Sequence, residues 1–151
     1  LWQSRLGLGV SAEEVANAGT RLVPKGSVVM SCVGKFGVAA VAACDLVINQ
    51  QLHAFVCPPS LNPYWLMFWI RRQEQYLAMR ATQTTILYLN KKGCESVPFG
   101  LPPREEQDSI LEYLMSMEQQ EAAAITKVEQ LHQIKAGLLQ DLLTGAVRVA
   151  P

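Results

Sequence analysis

From Pro103 to Thr144 the chain runs through 42 residues of helix formers, interrupted only by Gly137. At about 1.5 Å of rise per residue, a helix of that length is roughly 60 Å long. Such a helix cannot be fully buried in a chain of 151 residues, so the sequence predicts a rod that protrudes and pairs along its length. The ends agree. Pro103 suits the first helical position, and Glu105, Glu106 and Asp108 sit where the positive end of the helix dipole favours anions. Gly145 stands where a left-handed terminating residue belongs.

Steps of four and three along this run give Ile110, Leu114, Met117, Glu121, Ala124, Val128, Leu131, Lys135, Leu138 and Leu142, a heptad stripe. Ile110, Leu114, Met117, Val128, Leu131, Leu138 and Leu142 are the expected pairing residues. Glu121 and Lys135 are costly in a packed seam unless each meets an opposite charge. An antiparallel partner of similar sequence supplies that charge. The competing reading is an amphipathic helix docked on its own domain, which the length disfavours.

The remainder reads as one globular head. Half the residues are apolar, enough for a core. The richest run, Tyr64 to Ile70, stops at Arg71-Arg72, far short of the roughly 20 residues that span a bilayer. Cys32, Cys44, Cys57 and Cys94 lack the close spacing of a zinc or redox pair and are expected as small residues of a reducing, cytoplasmic interior. The chain starts at Leu1 without a charged-then-apolar leader and is expected to be a piece of a longer protein.

Net charge is zero, but its distribution is uneven. From Lys25 to Lys92 there are seven basic residues against Asp45 and Glu74, whereas Pro103 to Thr144 carries eight acids against three bases. A basic head on an acidic rod suits a head that meets phosphates and a rod that does not. An excess of this size is also common on solvated surfaces.

The head reads as β-structure with one internal helix, an α+β arrangement. Pro24-Lys25-Gly26 turns into a strand over 27–33, and Gly34-Lys35-Phe36-Gly37 turns into another over 38–43. Further strands are predicted over 46–48, 52–57 and 86–89, with Asn90 to Gly93 as a turn. Asn62 and Pro63 form an N-cap and first position for a helix reaching about Met79.

No catalytic centre is visible. The Gly34-Lys35-x-Gly37 sequence lacks the spacing and the following Ser/Thr of a phosphate loop, and a tight turn explains it better. Asn62-Pro63-Tyr64-Trp65 lacks the second proline of the amino-methyltransferase element, and no Gly-rich loop follows a strand to hold a methyl donor. With only His53 and His132, neither a hydrolytic triad nor a histidine metal site is easily built. No metal and no cofactor are expected.

The order Val23-Pro24-x-Gly26, Ser31, Gly34 and Gly37, then Ile48-Asn49-Gln50, Thr84 to Asn90, Leu101-Pro102-Pro103-x-Glu105-Glu106-Gln107, Ile134-Lys135 and Leu142-Leu143-Thr144-Gly145 resembles the specificity subunit of type I restriction–modification enzymes. The Pro-Pro-x-x-Glu-Gln helix start and the Leu-Leu-Thr-Gly exit are its most specific pieces, and the likeness runs from about Val10 to Val149. Members have two target-recognition domains, each followed by a long helix, the two helices packed antiparallel as a spacer. Each domain reads one half of a bipartite DNA site, and catalysis resides in methyltransferase and restriction subunits.

The resemblance implies a recognition domain over 1–101, starting part-way through, and a spacer helix with tail over 102–151. It implies as partners double-stranded DNA, methyltransferase subunits, a restriction subunit, and either a second specificity half or a second copy. No membrane partner and no catalytic residue are implied. Candidate DNA contacts are Lys25, Ser31, Lys35, Asn49, Gln50, Thr82, Gln83, Thr84, Lys91 and Lys92, with lysines for phosphates and the uncharged polar groups for base edges. Bonding to turn backbone is the alternative role for Asn49 and Gln50, and capping a solvated helix side is that for Arg71 and Arg72. A coiled-coil adaptor that binds protein instead of DNA is the competing class. A methyltransferase fragment is disfavoured by the missing motifs.

Overall fold

In a computed structural model, residues 9–82 and 86–149 are described. The chain divides into two compact units, Leu1–Ser109 and Ile110–Pro151.

In the first unit, helix α1 (Ala12–Asn17) starts at a capping box absent from the sequence expectations. Glu14 N–H donates to Ser11 Oγ at 3.2 Å, and Ser11 N–H donates to Glu14 Oε2 at 2.7 Å. Three antiparallel strands follow, β1 (Val28–Ser31), β2 (Ala39–Val41) and β3 (Leu52–Phe55), in the order β2-β1-β3. Val28 pairs with Val41 and Phe55, and Met30 with Ala39 and His53. Val28, Met30, Ala39 and Val41 therefore share one buried face. Helix α2 (Pro63–Arg72) lies against it with Met67 and Ile70 buried, and Leu77 of α3 (Glu74–Arg80) joins the same core. The opposite face, carrying Val29 and Ala40, lines with the α1 segment an open apolar trough of about 1400 Å³.

The expected strands are shorter than predicted, and each difference has a local cause. Residues 46–48 contribute a single bridge, Val23 to Leu46. Pro24 follows Val23 and has no N–H to extend the ladder, while Lys25 N–H turns to Asp45 Oδ1 at 2.7 Å. Residues 86–89 form no strand either. Tyr88 bridges both Val33 and Thr82, and Gly34, at φ 73°, turns the neighbouring chain away. The predicted turn over 90–93 is instead the start of helix α4 (Lys91–Glu95), with Asn90 Oδ1 accepting from Gly93 N–H at 2.9 Å. Asn90 works as a cap, and Cys94 buries one side of the short helix.

The single helix expected from Pro63 to about Met79 breaks at Gln73 into α2 and α3. No Pro or Gly marks the break. The turn after β1 closes against it. At Gly37 a Cβ would lie 2.9 Å from Glu74 Cβ and 3.1 Å from the Arg71 carbonyl oxygen, and φ there is +73°. Only glycine fits. Arg71 Nε also donates to Ala39 O at 3.1 Å, tying the helix end to β2.

Helix α5 spans Arg104–Leu143, 40 residues, within two residues of the sequence expectation. Gly145 at φ 73° ends it, with its N–H donating to Leu142 O at 3.3 Å. No helix among the described residues is long and apolar enough to cross a membrane.

Candidate nucleic-acid interface

Most of the polar candidates gather at one end of the sheet. Ser31 ends β1, Lys35 tops the β1–β2 turn, and Asn49 and Gln50 precede β3, whose Leu52 pairs with Ser31. The segment around Tyr88 joins this end through two backbone bonds, and a third holds it to Thr82. Gly34 N–H donates to Leu87 O at 3.0 Å, Leu89 N–H to Cys32 O at 2.8 Å, and Thr82 N–H to Tyr88 O at 2.9 Å. Helix α4 then places Lys91 and Lys92 beside it. Gln83 and Thr84 lie outside the described residues.

These side chains differ in what remains free for a ligand. Ser31 Oγ donates to Val33 O at 3.0 Å, and Thr82 Oγ1 to Tyr88 O at 2.9 Å, so both hydroxyls retain only acceptor capacity. Asn49 Oδ1 accepts from Gln51 N–H at 3.1 Å, the turn-bonding role that competed with base contact in its sequence. Lys91 Nζ lies 3.6 Å from Glu95 Oε1, with both side chains well exposed. Such a pair is weak and readily exchanged for a phosphate. Lys35, Gln50 and Lys92 are exposed.

Lys25 belongs elsewhere. It precedes β1, and four residues of strand, about 13 Å at the usual rise, separate its end of the sheet from the Lys35 end.

Buried groups brace the Lys35 end. The sulfurs of Cys32 and Cys94 approach to 3.5 Å, joining the residue after β1 to α4, although the sequence spacing suggests no pair. That contact, with burial, pushes the Cys94 thiol up and keeps it protonated. Cys44, expected inside, is exposed because it lies just past β2. His53 packs edge-on against Phe55 at 4.6 Å between ring centres. Burial lowers its pKa, Lys91 adds to the effect, and Glu95 opposes it.

The function of Gln107 was not legible in its sequence position. The residue is completely buried. Its Oε1 accepts from Asn62 N–H at 2.9 Å, and its Nε2 donates to Ser60 O at 3.0 Å and Pro102 O at 2.8 Å. It thereby fastens the first turn of α5 to the loop before α2. Asp108 adds a bond from Asn62 Nδ2 at 2.6 Å and a two-oxygen contact with Arg104 Nε, and these donors lower its pKa. Three aromatic donors secure the connecting chain ahead of α5. Trp65 Nε1 bonds Gly100 O, Trp69 Nε1 bonds Pro98 O, and Tyr76 OH bonds Ser96 O. The signal was present in the Pro-Pro-x-x-Glu-Gln motif, but nothing in sequence names the partners of its glutamine.

In the second unit, every residue of α5 from Met115 to Leu143 is exposed. Of the expected pairing residues, Ile110, Met117, Val128, Leu131, Leu138 and Leu142 are exposed, and Leu114 is half-buried. Ile125, Ile134 and Leu139, off the predicted stripe, are exposed too and widen the apolar face. A monomer seldom leaves a contiguous apolar face of this kind to water.

Comparison with known proteins places these features. Residues 6–136 match the family described as the type I restriction modification DNA specificity domain. A chain solved in a study of complex assembly and conformational transition of the type I R-M system is 29% identical, with a TM-score of 0.62. The match covers 80% of the present chain and 31% of that one. The crystal structure of the HsdS subunit from Thermoanaerobacter tengcongensis is 30% identical over 68% of this chain and 24% of its own, with a TM-score of 0.56. The present chain thus spans less than a third of either solved chain. It shares with them a small antiparallel sheet, short helices and one long helix, and it belongs to the type I restriction–modification DNA specificity family.

Proposed function

We propose that the chain is a sequence-reading module of a type I restriction–modification complex. Its recognition head, residues 1–101, reads one half of a bipartite site in duplex DNA, and residues 102–151 form the spacer helix and tail. The observation that carries this reading is the family match across residues 6–136. The gathering of Lys35, Gln50, Lys91 and Lys92 at one end of the sheet supports it and supplies the contacting surface. In this account lysines take phosphates, and Gln50, Thr82, Gln83 and Thr84 contact base edges.

The exposed apolar face of α5 pairs antiparallel with the helix of a second specificity half or of a second copy. In such a pair Glu121 and Lys135, fourteen residues apart on one stripe, approach opposite charges of the partner. The chain itself is non-catalytic. Modification and restriction subunits dock on it and perform the chemistry.

Footprinting on the reconstituted complex tests this. Exchanging residues 82–92 for the corresponding segment of another family member should change the protected half-site and leave the other half unchanged. An unchanged footprint would remove base reading from this end of the sheet and favour the adaptor alternative.

A further inference from the structure

Cys32 directly follows β1, and Cys94 lies in α4, 62 positions further along the chain. Both are buried, at 4% and 1% exposed, and their sulfurs lie 3.5 Å apart. Backbone bonds hold them there. Cys32 N–H donates to Gln51 O and Cys32 O accepts from Leu89 N–H, each at 2.8 Å, while Cys94 N–H donates to Asn90 O at 3.0 Å. Each cysteine stands three residues from a lysine of the sheet end described above, Lys35 for Cys32 and Lys91 for Cys94.

Neither sulfur has a better partner than the other. Cys32 Sγ reaches Met30 O only at 4.0 Å, and Cys94 Sγ reaches Leu89 O at 3.9 Å, long contacts even for a weak sulfur donor. The hydrogen bond between the two sulfurs lowers the Cys32 pKa, against the opposing effect of burial, and raises that of Cys94. Cys32 is therefore the member that ionises, and a thiolate is the nucleophilic form. A disulfide bond is about 2.05 Å long, so the sulfurs need close by only about 1.5 Å. Helix α4, five residues long, can take up that shift.

We infer that Cys32 and Cys94 form a reversible disulfide, an oxidation-sensitive latch that fastens α4 and its two lysines to the sheet. The oxidant is a peroxide. The Cys32 thiolate attacks one oxygen of hydrogen peroxide and the O–O bond breaks. Cys32 becomes a sulfenic acid, and the released hydroxide takes a proton to leave as water. The Cys94 sulfur then attacks that of Cys32. The S–S bond forms, the S–O bond breaks, and the hydroxyl departs as a second water with the Cys94 proton. Two thiols are thus oxidised to one disulfide while the peroxide is reduced to two waters. A small thiol reverses the bond by exchange, two of its molecules ending as one disulfide. Under reducing conditions the pair rests as thiols. None of this chemistry depends on the Lys35 end meeting DNA.

The test exposes the full chain to hydrogen peroxide, at a dilution that prevents cross-linking between chains. Differential alkylation and mass spectrometry then map the cysteines. A linked Cys32–Cys94 peptide pair, lighter by two hydrogens and restored by a small thiol, is expected. Closing so long a loop should raise the melting temperature by about 5 °C or more. Amide hydrogen exchange across 91–95 should slow about tenfold. In Cys94→Ala, oxidation should stop at a Cys32 sulfenic acid that a cyclic diketone traps. Should that variant fail to fold, the wild-type map decides by itself. Cys32 and Cys94 both remaining open to alkylation while the exposed Cys44 is oxidised would overturn the inference. A linked pair with unchanged exchange in α4 would overturn the latch as well. Neither outcome bears on whether the sheet end reads DNA.

Discussion

At the scale of residues, Gln107 joins two segments of chain that sequence keeps 45 positions apart. Replacing it with Leu leaves Asn62 N–H, Ser60 O and Pro102 O without their partner. Each buried group so orphaned costs about 1–3 kcal/mol, and partial access to water lowers the total. A loss of roughly 3 kcal/mol in chemical unfolding of Gln107→Leu is expected. A variant as stable as the wild type would show that the amide bonds are incidental to the packing. Asn62 was readable as a cap because capping is a local bond, here from Tyr64 N–H at 3.0 Å. The partners of Gln107, like the meeting of Cys32 with Cys94, arise from tertiary contact and leave no periodic trace.

His53 yields a pH prediction at the same scale. Its folded pKa is lowered, by burial first, so the unfolded chain takes up the proton earlier as pH falls. The stability it contributes is therefore intact above the ordinary imidazole range near 6.5 and is lost as pH falls through that range. Melting temperature should drop between about pH 7 and pH 5, and less so in His53→Gln. Parallel curves for the two proteins would contradict the assignment.

At the scale of elements, α5 was legible almost to the residue because its signals are local. A long run of helix formers, acids in the first turn and Gly145 at the end all act over one or two turns. The break at Gln73 was illegible because its cause is Gly37, which reaches Arg71 and Glu74 only in the folded chain. The short strands failed for a related reason: a β-ladder needs a partner with free N–H groups, and Pro24 has none. Pairing by α5 is testable with Leu131→Asp and Leu138→Asp, both at exposed apolar positions. Each removes a contact worth roughly 1.5–3 kcal/mol and places a charge in the seam. Analytical ultracentrifugation should show loss of association with helix content retained. A wild-type chain that stays monomeric at all concentrations would exclude pairing with a second copy and leave pairing with a second specificity half.

At the scale of the whole molecule, zero net charge concealed a basic head and an acidic helix, and that asymmetry was visible in sequence. The sheet end that collects Lys35, Gln50, Lys91 and Lys92 is only partly visible in sequence, since Lys25, a candidate of the same kind, lies at the other end. Three of the uncharged candidates, Ser31, Asn49 and Thr82, also proved to be engaged with backbone. Polar residues in turns bond their own chain as readily as a ligand, and composition alone does not separate the two roles.

The central claim is that this sheet end meets DNA, with lysines giving strength and Gln50 giving discrimination. The direct measurement is a salt-titrated binding series on the complex reconstituted with modification subunits, with specific and scrambled duplexes side by side. Lys35→Ala and Lys91→Ala should weaken binding to both duplexes and flatten the salt dependence by about one unit per lost phosphate contact. Gln50→Ala should instead narrow the gap between specific and scrambled duplexes by about 1–3 kcal/mol. Unchanged affinity, salt slope and preference in all three variants would contradict the account.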